Sequence, residues 1–164
     1  MNSISGLYVL DTRLVVHVVR GSQIGKAADK RFALRTRPER PLISVTTVAE
    51  VRRAAATLAK RWTPEQVAQL DALLAEFSWV NINSRVVQDA YVRIGSTLDN
   101  ALETIPDRKL WVAAVASATN AALLTYDTDY QRIPSHMVNV VFVPRAELEN
   151  PEDDDDVLTF SLES

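Results

Sequence analysis

The chain has 164 residues, enough for one domain with a sizeable core, and 47% of them are hydrophobic, too many for a disordered segment. It has no cysteine, which excludes disulfides, thiolate zinc sites and a cysteine nucleophile. The net charge of −3 is unevenly spread: residues 150–164 hold six acids and no Lys or Arg, and the 21 acids less these six leave 15 against 18 basic residues in the body. Residues 1–61 alone carry 12 basic residues against four acids, a balance that suits a polyanionic partner and equally suits a solvated face.

In chain order, Leu7-Tyr8-Val9-Leu10 runs straight into Asp11. A short continuous apolar run fits a strand buried on both faces, as in a parallel sheet. An unpaired carboxylate is costly inside such a strand but can stand at its carboxyl end, where open α/β sheets place ligand crevices. A helix is expected over 12–20, broken by Gly21-Ser22, and a basic helix over 23–34. Arg37-Pro38-Glu39-Arg40-Pro41 reads as a loop. Leu42–Val45 is the second strand, followed by a helix from Thr46 or Thr47 to about Lys60 that carries Glu50.

Thr63-Pro64 starts a helix expected to reach about Phe77, since proline suits the first helical position. A short strand is expected over 79–82, then a helix capped by Asn83 or Ser84. Ile105-Pro106-Asp107 leads into a helix over 108–119, where Ala113, Ala114, Ala116 and Ala118 allow a close approach to a sheet. Ala122–Thr125 is a strand followed by Tyr126-Asp127-Thr128-Asp129, and Val138–Val143 is the last strand. Alternating strands and helices argue for a mostly parallel sheet covered on both faces.

Three predicted strands therefore lead to Asp11, Glu50 and Asp127, with Asp129 beside them. Clustered like charges need a cation, and oxygen donors suit Mg²⁺ or Mn²⁺. Each acid also has a plainer role: Thr47-x-x-Glu50 fits a capping box, Asp107 a helix N-cap, and Asp127 with Asp129 an Asx-turn.

Four segments in this order, Tyr8-Val9-Leu10-Asp11-Thr12, Ser44-Val45-Thr46-Thr47-Val48-Ala49-Glu50-Val51, Leu110-Trp111-Val112-Ala113-Ala114 and Leu123 to Tyr130, resemble a PIN domain, in particular a VapC-type toxin of a bacterial toxin–antitoxin pair. The resemblance spans roughly Leu7 to Val143. It implies an α/β/α sandwich over residues 1–149, with 150–164 as an acidic tail that competes with nucleic acid for the basic surface or merely solubilises. It also implies a Mg²⁺- or Mn²⁺-dependent endoribonuclease, RNA as substrate, an antitoxin partner and a homodimer. Position by position, Asp11, Glu50 and Asp127 match the metal-binding acids, and Asp129 would help from further out. The pattern is broken twice: Arg13 stands where the family has Asn, and Lys109 where it has Asp. Asp107 is the nearest acid that could substitute for the latter. Lys109 could instead pair with Asp11 or Asp127 and balance the acids without metal, giving a non-catalytic PIN-like domain that binds RNA or a protein. No apolar run reaches the roughly 18 residues of a membrane span. The N-terminus does not read as a signal peptide, so a cytoplasmic location is expected.

Overall fold

The computed structural model describes residues 6–57 and 62–143. The acidic segment 150–164 lies outside the described residues. Five short strands, β1 (Tyr8–Leu10), β2 (Leu42–Ser44), β3 (Ser78–Val80), β4 (Ala122–Thr125) and β5 (Val140–Phe142), form one sheet in the order β3-β2-β1-β4-β5. All four pairings are parallel. The helices are α1 (Thr12–Arg20), α2 (Gln23–Phe32), α3 (Val45–Thr57), α4 (Pro64–Leu74), α5 (Arg85–Asn100) and α6 (Asp107–Thr119).

Strand alternation splits the core into two layers. Tyr8, Leu10, Ile43, Ala122 and Leu124 face α1 to α4, while Val9 and Leu123 face α5 and α6. The small residues of α6 act as expected: Ala113, Ala114 and Ala116 are buried against the sheet. The fold is thus the three-layer sandwich around a parallel sheet that the sequence implied.

Local chemistry sets most element ends. Gly21 closes α1 in the left-handed region (φ 68°), where a side chain would be disfavoured. Thr63 caps α4 through a full capping box with Gln66, with Pro64 at the first turn. Ser84 holds the N-cap position of α5. Some element ends shift: β3 begins at Ser78 instead of Trp79, β5 covers only the middle of Val138–Val143, and α4 ends at Leu74, three residues short of Phe77. Helix α6 starts one residue earlier than expected, with Pro106 at the N-cap position and Asp107 inside the first turn.

The chain runs β1, β2, β3 outward on one side of the sheet, then returns to place β4 on the other side of β1. In parallel sheets the crevice outside the strand ends at such a reversal is where ligands bind. Asp11 follows β1 and Asp127 follows β4, so both acids flank that crevice.

Candidate active site

Asp11 is 2% exposed, and its backbone N–H continues the β1–β4 ladder onto the Leu124 carbonyl. Its side chain does not cap α1. Instead Oδ2 accepts from the Thr125 hydroxyl (2.9 Å) and Oδ1 from the Tyr130 hydroxyl (3.3 Å). Burial raises the Asp11 pKa. The Thr125 hydrogen bond opposes this, the Asp127 charge adds to it, and Lys109 and Arg13 pull it back. Tyr130 is fully buried, and burial holds its hydroxyl protonated, well above the ordinary tyrosine range.

Glu50 sits on α3. The capping-box alternative fails for a packing reason: Thr47 is buried within the helix, and its hydroxyl meets that of Thr12 at 2.9 Å. Burial pushes Glu50 up to about 7, with Arg108 opposing and the Asp11 carboxylate reinforcing the shift.

The other half of the site is organised by Lys109, in the first turn of α6. Its Nζ forms an ion pair with Asp127 Oδ2 at 2.6 Å and donates to Asp129 Oδ2 at 2.6 Å. The Lys109 and Asp127 side chains are each 9% exposed. Asp127 also accepts the Asp129 backbone N–H at 2.9 Å, so the Asx-turn and the ion pair coexist. The hydrogen bond from Lys109 holds the Asp129 carboxyl below the usual range. Arg132 adds a longer contact to Asp129, 3.5 Å.

The structure therefore gathers Asp11, Arg13, Glu50, Lys109, Asp127 and Asp129 at one strand edge. Asp107 goes elsewhere: it lies exposed at the cleft between α5 and α6 and accepts the Tyr91 hydroxyl at 2.8 Å. Three contributors were not singled out from sequence. Thr125 was visible as the last residue of a strand before an acid. Tyr130 and Arg108 lie next to motif residues, but only the closed fold brings them to Asp11 and Glu50.

A divalent ion does not fit this donor set. Asp11, Thr12, Arg13, Glu50, Arg108, Lys109 and Tyr130 line a nearly closed space of about 10 Å³, room for a single water. Mg²⁺ asks for octahedral oxygen donors and usually keeps several waters. Both Asp11 oxygens already accept hydroxyls, and an ammonium occupies the space between Asp127 and Asp129. Among the described residues, no three acidic or imidazole groups are placed to share one ion.

The PIN domain family profile matches residues 8–135. The chain belongs to the PIN domain family. This PIN domain is also similar in shape to chains of several solved complexes. One is VapBC2 from Rickettsia felis bound to a DNA fragment from their promoter (TM-score 0.67, 20% identity, covering 83% of this chain and 98% of that one). Another is FitAcB from Neisseria gonorrhoeae (0.65, 22% identity, 84% and 98%). A third is VapBC-5 from Mycobacterium tuberculosis, a member of the VapBC family of toxin-antitoxin systems (0.60, 23% identity, 84% and 98%). At these identities the likeness establishes the fold. No curated protein matches the sequence at a significant level. No helix among the described residues is long and apolar enough to cross a membrane.

Proposed function

We propose that this PIN domain is the toxin-type member of a VapBC-like pair, cytoplasmic, engaging RNA at its strand-edge cleft and held by a small antitoxin protein. The observation that carries this reading is the meeting of Asp11, Glu50, Asp127 and Asp129 with Arg13, Arg108 and Lys109 at the switch point of a VapBC-like fold. Lys109 partly offsets the charge of Asp127 and Asp129 from within. The guanidinium groups of Arg13 and Arg108, on the first turns of α1 and α6, then offer positive charge to a phosphate backbone.

The site chemistry favours binding over cutting, because both Asp11 oxygens accept hydroxyls and an ammonium stands against Asp127 and Asp129. A second reading, Mg²⁺- or Mn²⁺-assisted hydrolysis of RNA phosphodiesters, draws on the family membership and on Asp11 and Glu50 lying close enough for one charge to act on the other. The test is RNA binding by the full chain in EDTA at two salt concentrations, followed by incubation of the RNA with Mn²⁺. Salt-sensitive binding that weakens in Arg13→Ser, without cleavage, is expected. No RNA binding at low salt would sink the proposal. Cleavage that needs Mn²⁺ and disappears in Asp11→Asn would establish the second reading in its place.

A further inference from the structure

Four carboxylates at one edge of a sheet repel one another and require positive charge nearby. In this chain an ammonium already sits among them. We propose that Lys109 is the resident cation of this PIN domain, its Nζ standing where the acids would otherwise hold a divalent metal ion, so that the site is assembled and maintained without metal. The inference rests on the PIN-type reading of the cleft and not on RNA as its ligand.

Three observations carry it. The first is position. Lys109 is in the first turn of α6, where the helix end is itself partly positive and a lysine is disfavoured unless acids compensate it. Asp127 and Asp129 supply that compensation at 2.6 Å each, from a segment 18 to 20 residues further on. A surface lysine finds water instead; this one is 7% exposed. The second is donor accounting. A hard cation of this class needs about six oxygens. Here Asp11 accepts from Thr125 and Tyr130, Asp127 Oδ1 accepts from the Asp129 amide, Asp129 Oδ2 accepts from Nζ, and Asp127 Oδ2, which accepts no hydrogen bond, lies in ion-pair contact with the same Nζ. The third is space: the small pocket beside Lys109, about 10 Å³, holds about one water, too little for an ion and its retained hydration. One lysine charge spread over two carboxylates is also a weaker positive source than a dication. Arg13 and Arg108 add positive charge near Asp11 and Glu50, though burial still leaves both carboxyls shifted toward the protonated form.

The test needs no RNA. Full-length protein is titrated with Mn²⁺ while the backbone amide signals of Asp127, Asp129 and Asp11 are followed by NMR, since a bound paramagnetic ion erases them. Wild type is expected to keep these signals and to show no Mn²⁺-dependent rise in Tm. Lys109→Asn, which removes the ammonium and leaves an oxygen donor, is expected to lose the signals and to bind Mn²⁺ with a Kd lower by about tenfold or more, with a matching rise in Tm. Broadening of these amides in wild type at stoichiometric Mn²⁺ would overturn the proposal, as would a folded Lys109→Asn that ignores Mn²⁺. If Lys109→Asn does not fold without metal, refolding driven by Mn²⁺ supports the proposal, and the wild-type titration still decides against it on its own. RNA binding in EDTA is scored separately, so loss of the RNA reading leaves this result intact.

Discussion

The two halves of the cleft relieve the same electrostatic stress in opposite ways. Around Asp127 and Asp129 a buried ammonium stands between the two side chains and holds the Asp129 carboxyl below its usual range. Around Asp11 and Glu50 burial dominates, and both carboxyls are pushed toward their protonated forms. The pH response therefore has opposite signs in the two halves. Asp129, with a lowered pKa, contributes stability that is present above the unfolded carboxylate value and lost as pH falls through its folded value. Glu50, raised from 4.5 to about 7, holds its proton in the folded state where the unfolded chain has lost it. Its contribution is greatest below 4.5 and lost as pH rises to about 7. A cation inside the protein and a proton from solvent are thus alternative remedies, and this fold uses both a few residues apart.

The comparison breaks most severely at Lys109. Lys109→Met leaves the buried Asp127 carboxylate without its counter-ion and Asp129 with only its longer Arg132 contact, and a loss of about 3 kcal/mol is expected in urea unfolding. The loss should be larger at pH 8 than at pH 5, because acid discharges the orphaned carboxylates. Next comes Thr125→Val, which removes the donor to Asp11 and the acceptor of the Asp127 amide. It should cost about 2 kcal/mol, and carboxyl NMR should find Asp11 titrating at still higher pH.

Glu50→Gln sharpens the comparison instead. It should flatten the fall in Tm between pH 4.5 and about 7, a slope worth on the order of 1–2 kcal/mol after solvent screening of this partly exposed group. An unchanged slope would remove Glu50 from the account. The smallest effect is expected for Arg132→Ala. Its contacts to Asp129 and Glu103 are 3.5 and 3.6 Å long and partly exposed, and it also donates to the Thr104 carbonyl at 2.7 Å, so the change should come to about 1 kcal/mol and shrink, without vanishing, in high salt.

These contrasts also mark what the sequence could express. The apolar run ending at Asp11 and the alanine-rich face of α6 are local patterns tied to burial, and both elements formed as read. The ion pair of Lys109 with Asp127 was legible as a charge out of place in a recognised motif. Its sharing with Asp129 was not, because it depends on the turn after β4 bringing both Oδ2 atoms to one Nζ. Glu50 was ambiguous for a definite reason: Thr-x-x-Glu satisfies a cap and a ligand pattern equally, and only the contact of Thr47 with Thr12 across two helices removes the cap. Tyr130 ends a motif segment and Arg108 precedes Lys109, but neither carried a signal for its role, which exists only across the closed sheet edge. The edge strands β3 and β5 were misplaced by one or two residues because each has a neighbour on one side only, so its pattern is weakly constrained.

The central position of β1 has a consequence for how the protein comes into being. Asp11 finds its hydroxyl donors 114 and 119 residues later in the chain. At ordinary translation speeds of about 5–20 residues per second, the ribosome needs roughly 6–20 s to make that stretch. Over this interval the nascent chain presents Asp11 without Thr125, Tyr130 or the Lys109 pair. The cleft cannot form until the last quarter of the domain has left the ribosome, and a truncated product ending before β4 carries Asp11 but no cleft.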